Sequence, residues 1–237
     1  MFFPYKDDNP RVLIPFVTYF IIGLNVLVFI YQYFIIQGAQ LSENFIYTYA
    51  LIPANPSILT IFSSMFMHGG FTHIIFNMWF LWIFGDNIES VLGHKKYLLF
   101  YFLCGIGAGL SQIQIDPEST IPMVGASGAI AGVLGAYLFR FPRATVHVLV
   151  ILIVFITFIR VPAMIVIGFW FLSNLTAGIG TLGIEQTGGT AWIAHIGWFI
   201  SGVLFNYFYN FYSCSSNDSN RVLVFIKSYG RNRYIRN

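Results

Sequence analysis

Four polar residues in three apolar stretches carry the side chains that hydrolysis of a peptide bond requires. They are Ser127 in GASGAIAGVLG, His195 in WIAHIGWFISG, and His73 and Asn77 in FTHIIFNMW. A serine hydroxyl becomes a nucleophile when a base removes its proton, and imidazole, with an ordinary pKa of about 6.5, suits that task. Amide and imidazole N–H groups can stabilise the oxyanion that follows. The opposing hypothesis is that Ser127 and its glycines only pack a helix.

The composition indicates that lipid surrounds most of the chain. Of the 237 residues, 57% are hydrophobic and only 9% are charged, whereas soluble domains carry about 25% charged residues. The two cysteines lack zinc-type spacing, and the stretch around His73 is not an HExxH motif. We therefore expect the bilayer as a partner, and neither a metal nor nucleic acid.

Six segments are predicted to cross a membrane, because a spanning helix needs about 20 predominantly apolar residues. Pro53 and Pro56 interrupt the second apolar run, so its first part is predicted to be a loop. The fold class is thus predicted to be an all-α membrane protein with six transmembrane helices. Their approximate bounds are 13–36, 64–86, 96–114, 125–141, 161–179 and 192–212.

The β-branched stretch TVHVLVILIVFITFIR leaves two interpretations open. It is either a segment lying on the membrane surface or an overlong lead-in to the fifth helix. We do not count 144–159 as a separate span, because a seventh span would move the basic C-terminal cluster to the outside.

The charges predict the orientation of the helices. With the N-terminus in the cytoplasm, all 12 Lys and Arg residues lie in inner segments, and the outer loops carry only acidic charges. This is the positive-inside pattern. We expect a cytoplasmic N-terminal segment (1–11), a membrane domain (12–212) and a basic cytoplasmic C-terminal tail (213–237). The expected location is a prokaryotic cell membrane.

This topology places the polar groups at one depth, because helices two, four and six all enter from outside. His73 and Asn77, four residues apart, share one helix face. Ser127 lies in a first helical turn, where backbone N–H groups lack intrahelical partners and point toward an anion. His195 begins the sixth helix. No carboxylate lies at this depth, so the pattern predicts a Ser–His dyad rather than a triad.

The three motifs resemble those of the rhomboid intramembrane serine proteases over about residues 12–212. The resemblance rests on their order and internal spacing: His73-x-x-x-Asn77, Gly125-Ala-Ser127-Gly128, and Ala194-His195 with Gly202 seven residues on. It implies a six-helix rhomboid-like bundle that cleaves single-pass membrane proteins near their outer end, without a cofactor. It also implies Ser127 as nucleophile, His195 as base, and His73, Asn77 and the Ser127 N–H as the oxyanion hole.

Glycines near these residues are predicted to let helices approach closely. The set is Gly125, Gly128, Gly132, Gly197 and Gly202. One position departs from the family pattern AHxxGxxxG, since Trp198 replaces its first glycine. The indole could push His195 away from Ser127 unless the helix rotates and Gly197 takes that role.

The sequence therefore favours an intramembrane serine endopeptidase. The alternative is a catalytically weak or inactive rhomboid-like protein that binds or escorts membrane proteins. A transporter or channel is a third hypothesis, although no acidic residue within a span could couple an ion. Residues 179–191 are either a mobile cap over the cavity or an ordinary connection.

Overall fold

The computed structural model describes residues 2–9, 12–152, 155–180 and 192–213. These residues are mostly helical. A π-helical turn (Tyr31–Ile35) extends the first helix, and a 3-10 turn (Ser64–Phe66) follows the third. The elements are β1 (Phe2–Asp7), α1 (Phe16–Ile30), α2 (Ala39–Tyr49), α3 (Ile58–Ser63), α4 (Phe71–Leu92), α5 (His94–Ile115), α6 (Ser127–Arg140), β2 (Thr145–Leu152), β3 (Phe155–Pro162), α7 (Ala163–Gly180) and α8 (Trp192–Ser213).

Helices α1, α4, α5, α6, α7 and α8 lie where the six spans are predicted. Among the described helices, α1 with its π-helical turn and α5 are each long and apolar enough to cross a bilayer. A third candidate is a bent pair, α3 with its 3-10 turn followed by α4, whose axes meet at 86°. The second predicted helix therefore begins at Phe71 rather than near residue 64. Gly69 and Gly70 precede it, and Gly70 is its N-cap.

The stretch after α6 forms a β-hairpin, so the prediction of an all-α fold is wrong here. Strand β2 pairs antiparallel with β3 on one side and with β1 on the other, in the order β1-β2-β3. The many Val, Ile and Thr residues favour strands because their branched side chains pack well on a pleated surface. Val146, Val148 and Val150 alternate along β2 and are buried. The stretch is therefore not a helical lead-in to the fifth helix, and its location at the membrane surface stays a prediction.

Strand β1 fastens this sheet to the helices. The Trp79 indole N–H donates to the Pro4 carbonyl oxygen (2.5 Å), and the Asn87 amide donates to the Asp7 carboxylate (3.0 Å). The two α4 residues are eight apart, about 12 Å along the helix. The Tyr137 hydroxyl of α6 also donates to Asp7. Strand β1 therefore runs alongside α4 and is tied to two helices.

Helix α6 lies at the centre of the bundle, and every residue from 128 to 137 is buried. Its glycines allow neighbouring helices to approach at backbone distance. A Cβ on Gly128 would lie 2.3 Å from the Ala108 Cβ, and one on Gly132 would lie 2.4 Å from the Cys104 Sγ. On the other side, a Cβ on Gly202 would lie 2.1 Å from the Gly132 carbonyl oxygen. Helices α5 and α8 thus pack closely against α6.

Candidate active site

Ser127 and His195 are in direct contact. The Nε2 of His195 lies 2.7 Å from the Oγ of Ser127. Ser127 is the first residue of α6, and His195 lies in the first turn of α8 and is 7% exposed. In the neutral tautomer with its proton on Nδ1, the Nε2 accepts the serine hydroxyl proton. This is the contact a base needs in order to activate the hydroxyl.

The loop before α6 holds Ser127 in place. Gly125 has φ +128°, in the region that favours glycine, and its N–H donates to the Ser64 carbonyl oxygen (2.8 Å). Two residues earlier, Met123 exchanges backbone hydrogen bonds with Leu51 in both directions (2.8 and 3.0 Å). The start of α6 is therefore fixed by backbone contacts with two residues of the segment that precedes α4.

His73 and Asn77 lie on α4 and face the same cavity as Ser127 and His195. The Gly69 N–H donates to the Nδ1 of His73 (3.4 Å), an arrangement that places the ring proton on Nε2. A Cβ on Gly125 would lie 2.8 Å from that Nε2, so the His73 ring abuts the serine loop. The Nδ2 of Asn77 is buried without a hydrogen-bond partner in the described part of the chain. Two N–H donors thus stand beside the dyad.

Two cavities meet at this point. The first has a volume of about 700 Å³ and is lined by all four polar residues, with α5 contributing Gly105, Ala108 and Gly109. The second, of about 490 Å³, lies between α4, α7 and the sheet, and its lining is mainly apolar. It also reaches Ser127 and Asn77, while Ile165 and Phe169 on its α7 side are 56% and 69% exposed. Ser127 is therefore reached from two cavities, of which the first carries His73 and His195 and the second is almost entirely apolar.

A family model described as "Rhomboid domain" matches residues 55–210. The chain belongs to the rhomboid family. This confirms the resemblance inferred from the three motifs. With its long apolar helices, this rhomboid is an integral membrane protein.

Individual proteins named as rhomboids are also similar to this chain in sequence. This rhomboid is 29% identical over 217 residues to "Rhomboid protein 1, mitochondrial" of Saccharomyces cerevisiae, covering 87% of this chain and 56% of that protein. It is 32% identical over 127 residues to "Putative rhomboid protease YdcA" of Bacillus subtilis (54% and 63%). It is 36% identical over 86 residues to "Rhomboid protease AarA" of Providencia stuartii (31% of each). The chain thus spans 56% and 63% of the length of the first two relatives.

The indole of Trp198 does not separate the dyad of this rhomboid, because it points toward α5. Its N–H donates to the Ser111 Oγ (3.0 Å). A Cβ on Gly107 would lie only 1.7 Å from the indole Cζ2, so the ring rests directly on that glycine. The indole therefore does not come between α6 and α8, whose backbones approach at Gly132, Gly135 and Gly202.

Four of the five predicted glycines make close contacts, and Gly197 does not. A Cβ on Gly197 would meet no atom of the described residues within 4 Å. Within the described residues Gly197 thus makes no close helix contact, and its neighbour Trp198 faces α5. Sequence reasoning also missed Gly107 and Ser111, although the run GIGAG in α5 was an available signal of close packing.

Two predicted features of this rhomboid lie outside the described residues. They are most of the connection at 179–191, interpreted as a cap or an ordinary loop, and the tail after residue 213.

Proposed function

We propose that this rhomboid is an intramembrane serine endopeptidase with a Ser127–His195 dyad. The observation that carries the proposal is the 2.7 Å contact between the Ser127 Oγ and the His195 Nε2. Its support is twofold, since the family includes proteins named as proteases and two candidate oxyanion donors stand beside the dyad.

The reaction follows from this geometry in two halves. Ser127 Oγ attacks the peptide carbonyl carbon while His195 takes the hydroxyl proton. His73, Asn77 and the Ser127 N–H donate to the oxyanion, and His195 passes its proton to the leaving amine. Water then attacks the acyl-enzyme ester with His195 again acting as base, which releases the acid and restores the hydroxyl. Every proton step is assigned to His195.

The proposed substrates are single-pass membrane proteins cleaved near the outer face. The apolar cavity between α4 and α7 supports this class, because it connects an exposed side of the bundle with Ser127. A lipid-embedded segment could lie there without exposing its apolar side chains to water. The polar cavity on the other side would supply the hydrolytic water.

The proposed topology has six spans and both termini in the cytoplasm, with segments 1–11, 12–212 and 213–237 as predicted. The positive-inside distribution supports it. The prokaryotic cell membrane stays a prediction, since the similar proteins come from bacteria and from eukaryotes, and the yeast relative is mitochondrial by name.

Cleavage of a transmembrane substrate in liposomes tests the proposal. We expect Ser127→Ala and His195→Ala to abolish cleavage, and to abolish labelling by a serine-directed fluorophosphonate. Ser201→Ala is the matched control, because this α8 serine is half-buried and its hydroxyl donates only to the Gly197 carbonyl oxygen of its own helix among the described residues. Undiminished cleavage by Ser127→Ala would rule out the nucleophile. A folded wild-type protein that is never labelled would favour the alternative, a rhomboid-like protein that binds or escorts membrane proteins.

A further inference from the structure

Close to His195, the backbones of α8 and α6 approach each other through glycines. The Gly202 Cα faces the Gly132 carbonyl, and a Cβ on Gly135 would lie 2.0 Å from the Phe199 carbonyl oxygen. Such contacts fix how closely two helices approach, but they offer no interlocking side chain against rotation about the helix axis. The rotation of α8, and so the direction of the His195 ring, therefore depends on the side chains that α8 packs against other helices. One of them is Phe199, whose ring centroid lies 4.7 Å from that of Phe171 on α7.

Trp198 supplies a second point of attachment. It follows His195 by three residues, so both side chains lie on neighbouring parts of the same helix surface. Its indole rests on Gly107, and its N–H donates to Ser111, four residues further along α5. Gly107 and Ser111 share one face of α5. The indole thus combines a fitted apolar contact with a directed hydrogen bond.

We propose that Trp198 is a positioning residue that sets the rotation of α8 and so aims His195 at Ser127, an inference that rests on the proposed endopeptidase function. A side-chain atom about 6 Å from a helix axis moves by about 2 Å when the helix rotates by about 20°. A displacement of that size breaks the 2.7 Å contact of the dyad. Misplacement of a reacting group by about 1 Å can cost about 100-fold in rate.

At position 198 the chain therefore has an indole that contacts α5, where the family pattern has a glycine. A glycine at 198 would leave the surface of Gly107 uncovered and the Ser111 hydroxyl without the indole donor. The α5 surface formed by Gly107 and Ser111 is complementary to the indole of Trp198 in shape and in hydrogen bonding, so each side of the contact requires the other.

Single-residue variants of the full-length protein in liposomes test this role. Trp198→Phe and Ser111→Ala each remove the same hydrogen bond. We expect each to lower kcat and the rate of fluorophosphonate labelling roughly fivefold, with KM unchanged. The double variant should show no further loss, because both changes break one interaction.

Ser111→Thr keeps the hydroxyl and should retain the wild-type rate. Trp198→Gly should lose roughly 100-fold.

Phe205→Leu is the matched control for packing between α5 and α8. Phe205 lies on α8 ten residues beyond His195 and stacks on Phe100 of α5, with ring centroids 4.8 Å apart. We expect it to lower the thermal unfolding temperature without changing kcat. An equal loss of kcat in Phe205→Leu would show that Trp198 acts only through general packing and would overturn the proposal.

Wild-type labelling rates in both Ser111→Ala and Trp198→Phe would overturn it as well. If Trp198→Gly does not fold, these two milder variants still decide the matter. Failure of the proposed function looks different, because the folded wild-type protein itself would then resist labelling.

Discussion

The two sides of the Ser127 site are built in opposite ways. Toward α5 and α8, helix α6 meets its neighbours at backbone distance through Gly128, Gly132 and Gly135. Toward α4, α7 and the sheet, side chains surround a cavity of about 490 Å³. The first side holds Ser127 and His195 at 2.7 Å, beside the cavity of about 700 Å³ that both residues line. The second side leaves a mainly apolar space next to Ser127, and this space is bounded by other helices than those that fix the Ser127–His195 contact.

Substitutions of similar size should consequently have unequal effects on the two sides. A methyl group added to the glycine side meets backbone or side-chain atoms at 2.0–2.4 Å, whereas one added to Gly168 of α7 meets no described atom within 4 Å. Close-packed contacts of this kind resist added volume.

The largest effect is expected from Gly202→Val. The added side chain collides with the Gly132 carbonyl and must push α8 away from α6. Cleavage and fluorophosphonate labelling should fall to background, with reduced thermal stability in detergent. The control is Gly197→Ala on the same helix, whose added methyl group meets no described atom within 4 Å. This variant should keep its activity while gaining up to about 1 kcal/mol from helix propensity. Wild-type activity in Gly202→Val would contradict the tight contact.

The next effect concerns Asn77, which lines both cavities. Asn77→Ala should lower kcat by roughly 100- to 1000-fold, the usual cost of removing one oxyanion donor. Thermal stability should not fall, because the buried Nδ2 makes no hydrogen bond within the described residues. Parallel measurement of kcat and of the unfolding temperature checks this separation. A loss of both together would indicate a structural role instead.

A smaller effect, on stability alone, is expected where the sheet joins the helices. The Asp7 carboxylate accepts hydrogen bonds from Asn9, Asn87 and Tyr137. Asp7→Ala leaves these donors without that acceptor and should cost about 2–3 kcal/mol of unfolding free energy, measured by denaturation in detergent. Lys6→Ala, at the exposed neighbouring position, is the control and should cost little. Equal stability of the two variants would show that the sheet is only loosely attached.

The smallest effect is expected in the apolar cavity. Ile165→Trp adds volume where Ile165 lines the space between α7 and the sheet. We expect a severalfold higher KM for a transmembrane substrate and an unchanged labelling rate with a small fluorophosphonate. Met164→Trp on the same helix is the control, since Met164 is exposed and lies outside the cavity lining. Equal KM values for the two variants would contradict a substrate path through this side.

The sequence predicted the positions of the helices well, because long apolar runs are a local signal. It did not predict the two strands at 145–162, because the sheet there also needs a partner strand that is distant in the sequence. Strand β1 faces β2 from about 140 residues away, and such pairing leaves no trace in local periodicity. The late start of α4 was accessible in principle, since Gly69 and Gly70 mark the break.

The identities of the site residues were likewise accessible, because polar side chains in apolar helices are rare and costly. The distances between these side chains could not be predicted from the sequence. Whether Trp198 spoils or supports the dyad depends on Gly107 and Ser111 of another helix, and spacing within α8 carries no information about them.

The pairing of Phe2 with Val150 also constrains the order of biogenesis. The ribosome makes the first strand before any of the six long helices, yet the hairpin that receives it emerges only after the fourth of them. The earliest residues therefore wait without their strand partner while four of the six long helices are made, and the sheet can close only after that.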